Sequence, residues 1–184
     1  MEEILWTKNT DKGTSAGPEG LNVQDFLEIE NETLRSAYSQ VLEIGISTTL
    51  WQAGRTVLIP KTENSGPSDF RPITVSSVVN RGLHKMMARR IQDLVPIGEM
   101  QRGFKNEDAV AANLLILQQL IKEVKTTPRP LYLAFIDFKK AFESVSHGAI
   151  TTAAQTVGLD KPSVDYLASV YGALTVNIMG EWVT

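Results

Sequence analysis

The feature that most restricts the fold is a six-residue apolar run, residues 131–136 (LYLAFI), which is followed at once by Asp137. Pro128 and Pro130 lie just before the run. A short apolar run between turn-forming and polar residues is typical of a β-strand that is buried on both faces. We therefore predict a buried strand over residues 131–136, with Asp137 at its carboxyl end.

Helical and strand-like patterns occur together along the rest of the chain, which predicts a mixed α and β fold. Loops are predicted at residues 7–20 and 62–69, where small and polar residues cluster, and a tight turn at residues 180–181. The predicted helices cover residues 34–45, 75–94, 110–124 and 163–171, and the other predicted strands cover residues 56–59, 174–179 and 182–184.

Composition excludes several classes of protein. The chain has no cysteine, which rules out disulfides and thiolate zinc sites and fits a reducing compartment. Glu2 and Glu3 follow the first methionine, so no secretory signal is visible, and no apolar run is long enough to span a bilayer. We expect a soluble, intracellular protein with no membrane partner.

Charge is distributed unevenly along the chain, although the net charge is only -3. Residues 55–105 contain nine Lys and Arg against four Asp and Glu, whereas residues 1–54 contain three against nine. A basic segment such as residues 55–105, called the basic island below, can bind a polyanion. It can equally be the solvated face of a helix, and charge alone leaves both interpretations open. The cations that lie largely off the apolar stripe of the predicted helix are Arg81, Lys85, Arg89 and Arg90.

Asp137 is the first candidate for a chemical role. A carboxylate held rigidly at the mouth of a buried strand suits a magnesium ligand in a two-metal nucleotidyl transferase. The same residue can also cap the helix that follows. From a strand and one aspartate alone, the helix cap is the more common outcome, and both interpretations remain open.

A longer pattern surrounds Asp137. Residues 135–147 read FIDFKKAFESVSH, which resembles motif A of the reverse transcriptases of non-LTR retrotransposons and group II introns. Further elements resemble that family in its own order, from about residue 13 to the end of the chain. They are residues 16–20 (AGPEG), Trp51, residues 57–61 (VLIPK), residues 69–73 (DFRPI) and residues 101–104 (QRGF).

The resemblance implies an α+β fold: a partial right-hand polymerase with fingers, an incomplete palm, mixed helices and a small antiparallel sheet. It implies an N-terminal extension and loop over residues 1–20, a fingers-like region over residues 21–130 and a partial palm over residues 131–184. The implied activity is RNA-directed DNA polymerisation with two magnesium ions. The implied partners are an RNA template, a DNA primer and deoxynucleoside triphosphates, in the nucleus.

The resemblance also implies residue roles. Asp137 would hold metal, joined by the main-chain carbonyl of Phe138, and Phe142 would exclude a 2′ hydroxyl. Lys61 and Arg71 would grip the triphosphate from a fingers hairpin. Without the resemblance, these two cations would be ordinary surface residues and Phe142 a core aromatic. The residues implied to lie along template phosphates are Arg81, Lys85, Arg89 and Arg90.

The sequence departs from the family in two ways. Glu143 stands where the family usually has Asp, a small change. More importantly, neither the Gln-Gly-Asp-Pro-Leu-Ser loop of motif B nor the Asp-Asp pair of motif C occurs in the 184 residues. One carboxylate cannot hold two magnesium ions. We therefore predict a fragment that does not polymerise DNA alone, with an unpaired sheet edge that favours association through strands.

Two other functions remain possible from the sequence. The chain could be a non-catalytic relic of a reverse transcriptase that binds nucleic acid or protein, since the basic island persists without the acidic pair. It could also be an α/β domain of another kind, in which Asp137 only caps a helix. His147 is interpreted as a structural polar residue, because no nucleophile pattern accompanies it.

Overall fold

The computed structural model describes residues 2–63, 66, 69–105, 108–127, 129–173 and 175–183. The chain divides into two compact units, Met1–Val95 with Val145–Thr184, and Pro96–Ser144. No helix in the described residues is long and apolar enough to cross a bilayer. The elements are α1 (Glu2–Thr7), α2 (Val23–Glu28), α3 (Asn31–Ile44), α4 (Thr49–Gln52), β1 (Ala53–Pro60), β2 (Phe70–Ser76), α5 (Val78–Leu94), α6 (Ala109–Thr126), α7 (His147–Thr156), α8 (Lys161–Ala173), β3 (Thr175–Ile178) and β4 (Glu181–Val183).

One four-stranded sheet, in the order β2-β1-β3-β4, belongs to the first unit. β1 pairs with β2 in antiparallel fashion, and β3 pairs with β4 in the same way. β1 and β3 are parallel, which is possible because a long connection with helices separates them in sequence. The sheet is therefore mixed, whereas the family resemblance implied an antiparallel one.

The β1–β2 hairpin tolerates two prolines because of its register. The N–H of Lys61 donates to the carbonyl of Asp69 at 2.8 Å, which extends the ladder one pair beyond the end of β1. Hydrogen-bonded and non-hydrogen-bonded pairs alternate in an antiparallel ladder. Pro60, opposite Phe70, and Pro72 therefore occupy non-hydrogen-bonded pairs, where a residue without an N–H loses no bond across the hairpin.

The predicted helix over residues 34–45 is confirmed as α3. Leu34, Tyr38 and Val41 are buried at four- and three-residue spacing, and Gly45 ends the helix with a φ of 68°. The predicted helix over residues 75–94 begins later, because Val75 belongs to β2. The core of the first unit comprises Ile4, Val23, Phe26, Leu34, Tyr38, Val41, Val78, Leu83, Met86, Met87, Ala154, Leu159, Val164, Tyr166 and Val170.

A buried polar network joins three helices within that core. The hydroxyl of Tyr166 on α8 donates to Oδ1 of Asn80 on α5 at 2.8 Å. It also lies 3.0 Å from Nε2 of His84, so that nitrogen carries the hydrogen in this arrangement. Nδ2 of Asn80 donates to the carbonyl of Trp51 on α4 at 2.9 Å. Burial lowers the pKa of His84, which favours the neutral ring.

The second unit contains α6, which starts where Oδ1 of Asp108 accepts from the N–H of Ala111 at 3.0 Å. The prediction of a helix over residues 110–124 is confirmed. None of the residues of α6 is buried, although Leu114, Leu115 and other apolar side chains belong to it. Its apolar face is therefore exposed to solvent in the part of the chain that the structure describes.

The prediction of a buried strand over residues 131–136 is wrong for this structure. These residues have no regular secondary structure. Phe135 and Ile136 are 85% and 82% exposed, so their side chains are not in a core. The physical reason is that a strand needs hydrogen-bond partners for its backbone. Within the described residues, the four strands of the sheet pair only with one another.

The predicted strands at the C-terminal end are confirmed as β3 and β4, which form a hairpin with the register Ile178↔Glu181. The predicted helix over residues 163–171 is confirmed as part of α8. The turn is at Met179 and Gly180, one residue earlier than predicted, because Glu181 already pairs with β3. Leu174 and Thr184, which were included in the predicted strands, lie outside the described residues.

The loop before α2 is fastened to the junction of β2 and α5. Oε1 of Glu19 accepts from the N–H of Val78 at 3.1 Å, at the start of α5. Ser77 does not cap α5 with its own side chain, so the carboxylate of Glu19 replaces a local cap. A Cβ atom on Gly17 would lie 2.8 Å from Cα of Ser77. Only glycine therefore permits this approach.

Candidate functional site

Two cations lie on one face of the β1–β2 hairpin, near its tip. Arg71 is directly opposite Ile59, and Lys61 is two residues beyond Ile59 on the same strand. Opposed residues, and residues two apart along a strand, project to the same face of a sheet. Lys61 and Arg71 are therefore diagonal neighbours on one face, and both are exposed. The predicted turn over residues 62–69 lies partly outside the described residues.

A carboxylate accompanies the two cations. The backbone bond between Lys61 and Asp69 makes these residues opposite partners, so Asp69 belongs to the same face. Oδ2 of Asp69 accepts from the N–H of Gly66 at 3.2 Å, which holds the carboxylate against the turn. Sequence reasoning missed Asp69 as a neighbour of the cations, because only the strand register reveals it. Two exposed cations at this spacing can bind an extended polyphosphate.

The basic residues of α5 contact the N-terminal part of the chain. Nη2 of Arg81 donates to the carbonyl of Ser15 at 2.8 Å, and Nζ of Lys85 donates to the carbonyl of Asn9. Nζ of Lys85 also lies 4.8 Å from the centre of the Trp6 ring. The guanidinium of Arg89 lies 5.5 Å from the same ring. Both cations are thus within range of a cation–π interaction.

Glu2 and Glu3 of α1 form ion pairs with Arg89 and Arg90 of α5. Nε and Nη2 of Arg90 each donate to the Glu3 carboxylate at 2.8 Å. The hydrogen bond from Arg90 is the main reason that the pKa of Glu3 is lowered. The Arg89–Glu2 pair is longer, at 3.9 Å. The sequence analysis assigned residues 1–20 to an N-terminal extension and loop, and it predicted no contact between this segment and the basic residues of α5.

The aromatic and acidic candidates of motif A belong to the second unit. Phe138 and Phe142 are 76% and 79% exposed. The ring of Phe142 makes an edge-to-face contact with Phe104, with 6.3 Å between ring centres. Asp137 is exposed and directly follows the irregular segment. Phe142 is therefore not the core aromatic that its spacing would also allow.

The described residues do not complete a metal centre. Within them, no group of three or more Asp, Glu, His or Cys side chains is arranged to hold a metal ion. The carboxylate of Asp137 and the carbonyl of Phe138 are oxygen donors, which magnesium prefers. They supply too few ligands for a two-ion centre, so the donor set in this part of the chain does not fit such a pair of ions.

His147 is the first residue of α7, which Ser146 caps by accepting from the N–H of Ala149 at 3.2 Å. The His147 ring lies 5.1 Å from the ring of Tyr171 on α8, tilted by 32°. This packing joins α7 to α8 and agrees with a structural role.

Comparison with known families decides what these elements belong to. Residues 59–182 match the family described as reverse transcriptase (RNA-dependent DNA polymerase). The matched range includes the tip of the hairpin, the whole of α5 and Asp137. The chain belongs to the reverse transcriptase family. Reverse transcriptases copy nucleic-acid templates from nucleotide substrates, and they generally use divalent metal ions.

Several retrotransposon proteins are similar to this reverse transcriptase chain over most of its length. A retrovirus-related Pol polyprotein from the type-1 retrotransposable element R2 of Nasonia vitripennis is 35% identical over 94% of the chain. The counterpart from Popillia japonica is 32% identical over 96%. A Pol polyprotein from the type-2 retrotransposable element R2DM of Drosophila melanogaster is 30% identical over 98%. The chain spans 17% to 25% of the length of these curated relatives.

Proposed function

We propose that this chain supplies the fingers and the first part of the palm of an RNA-directed DNA polymerase of the non-LTR retrotransposon type. The observation that carries the proposal is the hairpin register, which gives Lys61 and Arg71 one common exposed face. The proposed division keeps residues 1–20 as an extension, residues 21–130 as fingers and residues 131–184 as palm. The proposed partners are an RNA template, a DNA primer and deoxynucleoside triphosphates, in the nucleus.

Each candidate residue has one proposed task. Lys61 and Arg71 bind the triphosphate of the incoming nucleotide and neutralise charge that grows as pyrophosphate leaves. Phe142 occupies the space that a 2′ hydroxyl would need, which favours deoxynucleotides. Asp137 and the carbonyl of Phe138 provide oxygen ligands for one magnesium ion. The ligands of a second ion have to come from a motif that the 184 residues do not contain.

The cations of α5 are proposed to contact the template. Lys and Arg side chains along a helix can contact template phosphates, which gives affinity that depends on salt and not on sequence. The proposed template contacts are Arg81, Lys85, Arg89 and Arg90.

Primer extension on an RNA template tests this function. The chain alone should not extend a primer. When it replaces the matching segment of a complete R2-type Pol polyprotein, the chimera should extend the primer, and Asp137→Ala should reduce the rate at least about a hundredfold. Arg71→Gln should reduce kcat/KM for deoxynucleotides about tenfold or more, because a charge-assisted hydrogen bond contributes about 1.5–3 kcal/mol.

Arg55→Gln is the matched control for Arg71→Gln. Arg55 is an exposed cation on the same hairpin face, but it lies near the base of β1. Its replacement removes the same charge and should leave kcat/KM within about twofold, because only charges near the phosphates act directly on them. Equal losses for Arg55→Gln and Arg71→Gln, or an active Asp137→Ala chimera, would contradict the proposed roles.

A further inference from the structure

Helix α1 contacts the basic side chains of α5. We use "basic row" for Arg81, Lys85, Arg89 and Arg90, and "cover helix" for α1. Of the basic row, Arg89 and Arg90 have their polar contacts with the cover helix. Lys85 shares its contacts between Trp6 of the cover helix and the carbonyl of Asn9. The cover helix therefore occupies one end of the basic row and leaves the other end to the loop that follows.

The cover helix uses the same chemistry on the basic row as a nucleic-acid strand would. The Glu3 carboxylate accepts two parallel hydrogen bonds from Arg90, the arrangement in which arginine also binds phosphate. The Trp6 ring lies against Lys85 and Arg89, and a nucleobase presents a comparable aromatic face to cations. Glu2 adds a second negative charge beside Arg89.

We propose that the cover helix is an internal substitute for a nucleic-acid strand, and that single-stranded RNA displaces it from the basic row. The inference rests on the proposed role of the basic row in template binding, and it adds a regulation of that site. RNA then binds Arg89 and Arg90 only after the cover helix has left. The free protein has a lower affinity for RNA than the basic row itself would give.

The attachment of the cover helix is weak enough to be exchanged. Glu2 is 91% exposed and Glu3 is 46% exposed, so solvent and salt screen both ion pairs. The buried residues of the cover helix are Ile4 and Thr7, which are 3% and 0% exposed, and of these two only Ile4 is apolar. A six-residue helix has little stability of its own once its contacts are lost.

The next residue limits how far the movement extends. Nζ of Lys8 donates to the carbonyls of Leu27 and Ile29 at the end of α2. This side chain ties the chain to α2 immediately after the cover helix. Displacement can therefore be confined to Glu2–Thr7, while the contacts of Arg81 and Lys85 with the loop persist.

Removing the acidic charges of the cover helix tests the inference. We expect Glu2→Gln with Glu3→Gln to bind a mixed-sequence single-stranded RNA of about 20 nucleotides about tenfold more tightly at low salt. The gain in affinity should shrink as the salt concentration rises, because salt weakens the exposed ion pairs that the parent has to break before RNA binds. Fluorescence anisotropy over a salt series measures both quantities, and circular dichroism checks that the variant is folded.

The control is Glu28→Gln with Glu30→Gln, which removes the same charge from exposed residues at the end of α2 and beside α3. This control should change the affinity less than twofold. A second readout is hydrogen exchange: saturating RNA should abolish protection of the Lys8 and Asn9 amides, which donate to the carbonyls of Ile4 and Trp6 in the cover helix, and leave the amides of α3 protected.

The outcomes separate the two proposals. In one outcome, Arg89→Gln with Arg90→Gln weakens RNA binding, but the Glu2 and Glu3 variant binds like the parent and the cover helix stays protected. This outcome overturns the proposal that RNA displaces the cover helix, and it leaves the proposed role of the basic row in template binding intact. If RNA binds but loss of Arg89 and Arg90 has no effect, the role of the basic row fails. If neither parent nor variant binds RNA at low salt, both proposals fail.

Discussion

At the residue scale, Gly17 and Glu19 hold the junction at which β2 passes into α5. Glu19 caps α5 at Val78, and Gly17 packs against the backbone of Ser76 and Ser77. β2 carries Arg71, and α5 carries the basic row. Two residues of a loop that is remote in sequence therefore fasten the junction between the strand that carries Arg71 and the helix that carries the basic row.

The Gly17→Ala substitution, which adds one methyl group, tests this junction. In Gly17→Ala, the new Cβ would lie 2.8 Å from Cα of Ser77 and 2.9 Å from the carbonyl oxygen of Ser76. Because both atoms belong to the backbone, the chain must shift, and we expect the free energy of unfolding to fall by about 1–3 kcal/mol. Urea denaturation measures this change.

Gly148→Ala is the matched control, because Gly148 is in α7 and a Cβ there meets no atom within 4 Å. It should leave the stability equal or raise it by up to about 1 kcal/mol, since alanine favours helix over glycine. An unchanged midpoint for Gly17→Ala would show that the loop is not packed as the structure has it.

At the scale of elements, β1–β2 and residues 131–136 differ in what surrounds them. Thr56 in β1 is buried, and its hydroxyl lies 2.8 Å from that of Thr74 in β2. The run of residues 131–136 has a stronger apolar pattern but no paired neighbour among the described residues. Strand formation here depends on the partner strand and not on the apolar pattern alone.

Hydrogen exchange distinguishes the two segments. Amides of residues 133–136 should exchange within about tenfold of the rate of an unstructured peptide, because no ladder bonds protect them. Amides of Thr56 and Val57 should exchange far more slowly. Strong protection of residues 133–136 in this chain would mean that they form a strand after all.

At the scale of the whole molecule, the network of Tyr166, Asn80 and His84 ties helices that are distant in sequence. Burial also raises the pKa of Tyr166 and Tyr38, which keeps both hydroxyls protonated as hydrogen-bond donors. Tyr38 donates to the carbonyl of Val79 at 2.8 Å. The stability of the first unit therefore depends on neutral polar groups in its core.

His84 makes that stability depend on pH. Burial holds its pKa below the ordinary 6.5, so at mildly acidic pH the unfolded chain binds a proton that the folded protein does not. The free energy of unfolding should be level above pH 6.5. It should fall by at most about 1.4 kcal/mol per pH unit as the pH drops from there toward the folded pKa.

Urea denaturation between about pH 5 and pH 8 measures this dependence. His84→Gln removes the titrating group and retains an amide that can donate to Tyr166, so the slope just below pH 6.5 should disappear. A slope that is the same in parent and variant would assign the effect to another residue.

The sequence by itself determined the family, the helices α3, α5, α6 and α8, and the hairpin positions of Lys61 and Arg71. Apolar spacing is a local property, and it predicted α3 and α6 because each helix forms its own backbone bonds. The order of the motifs identified the reverse transcriptase family, and the comparisons confirmed that the chain belongs to it. The proposed roles of Asp137, Phe138 and Phe142 also come from these motifs.

Only the tertiary structure decided what requires two distant segments. The parallel pairing of β1 with β3, the lack of a strand at residues 131–136 and the cap of α5 by Glu19 all depend on partners far along the chain. The contacts of Glu3 and Trp6 with the basic row also depend on partners far along the chain. Local patterns contain no information about such partners, because strand pairing, capping from a loop and charge contacts are set by proximity in space.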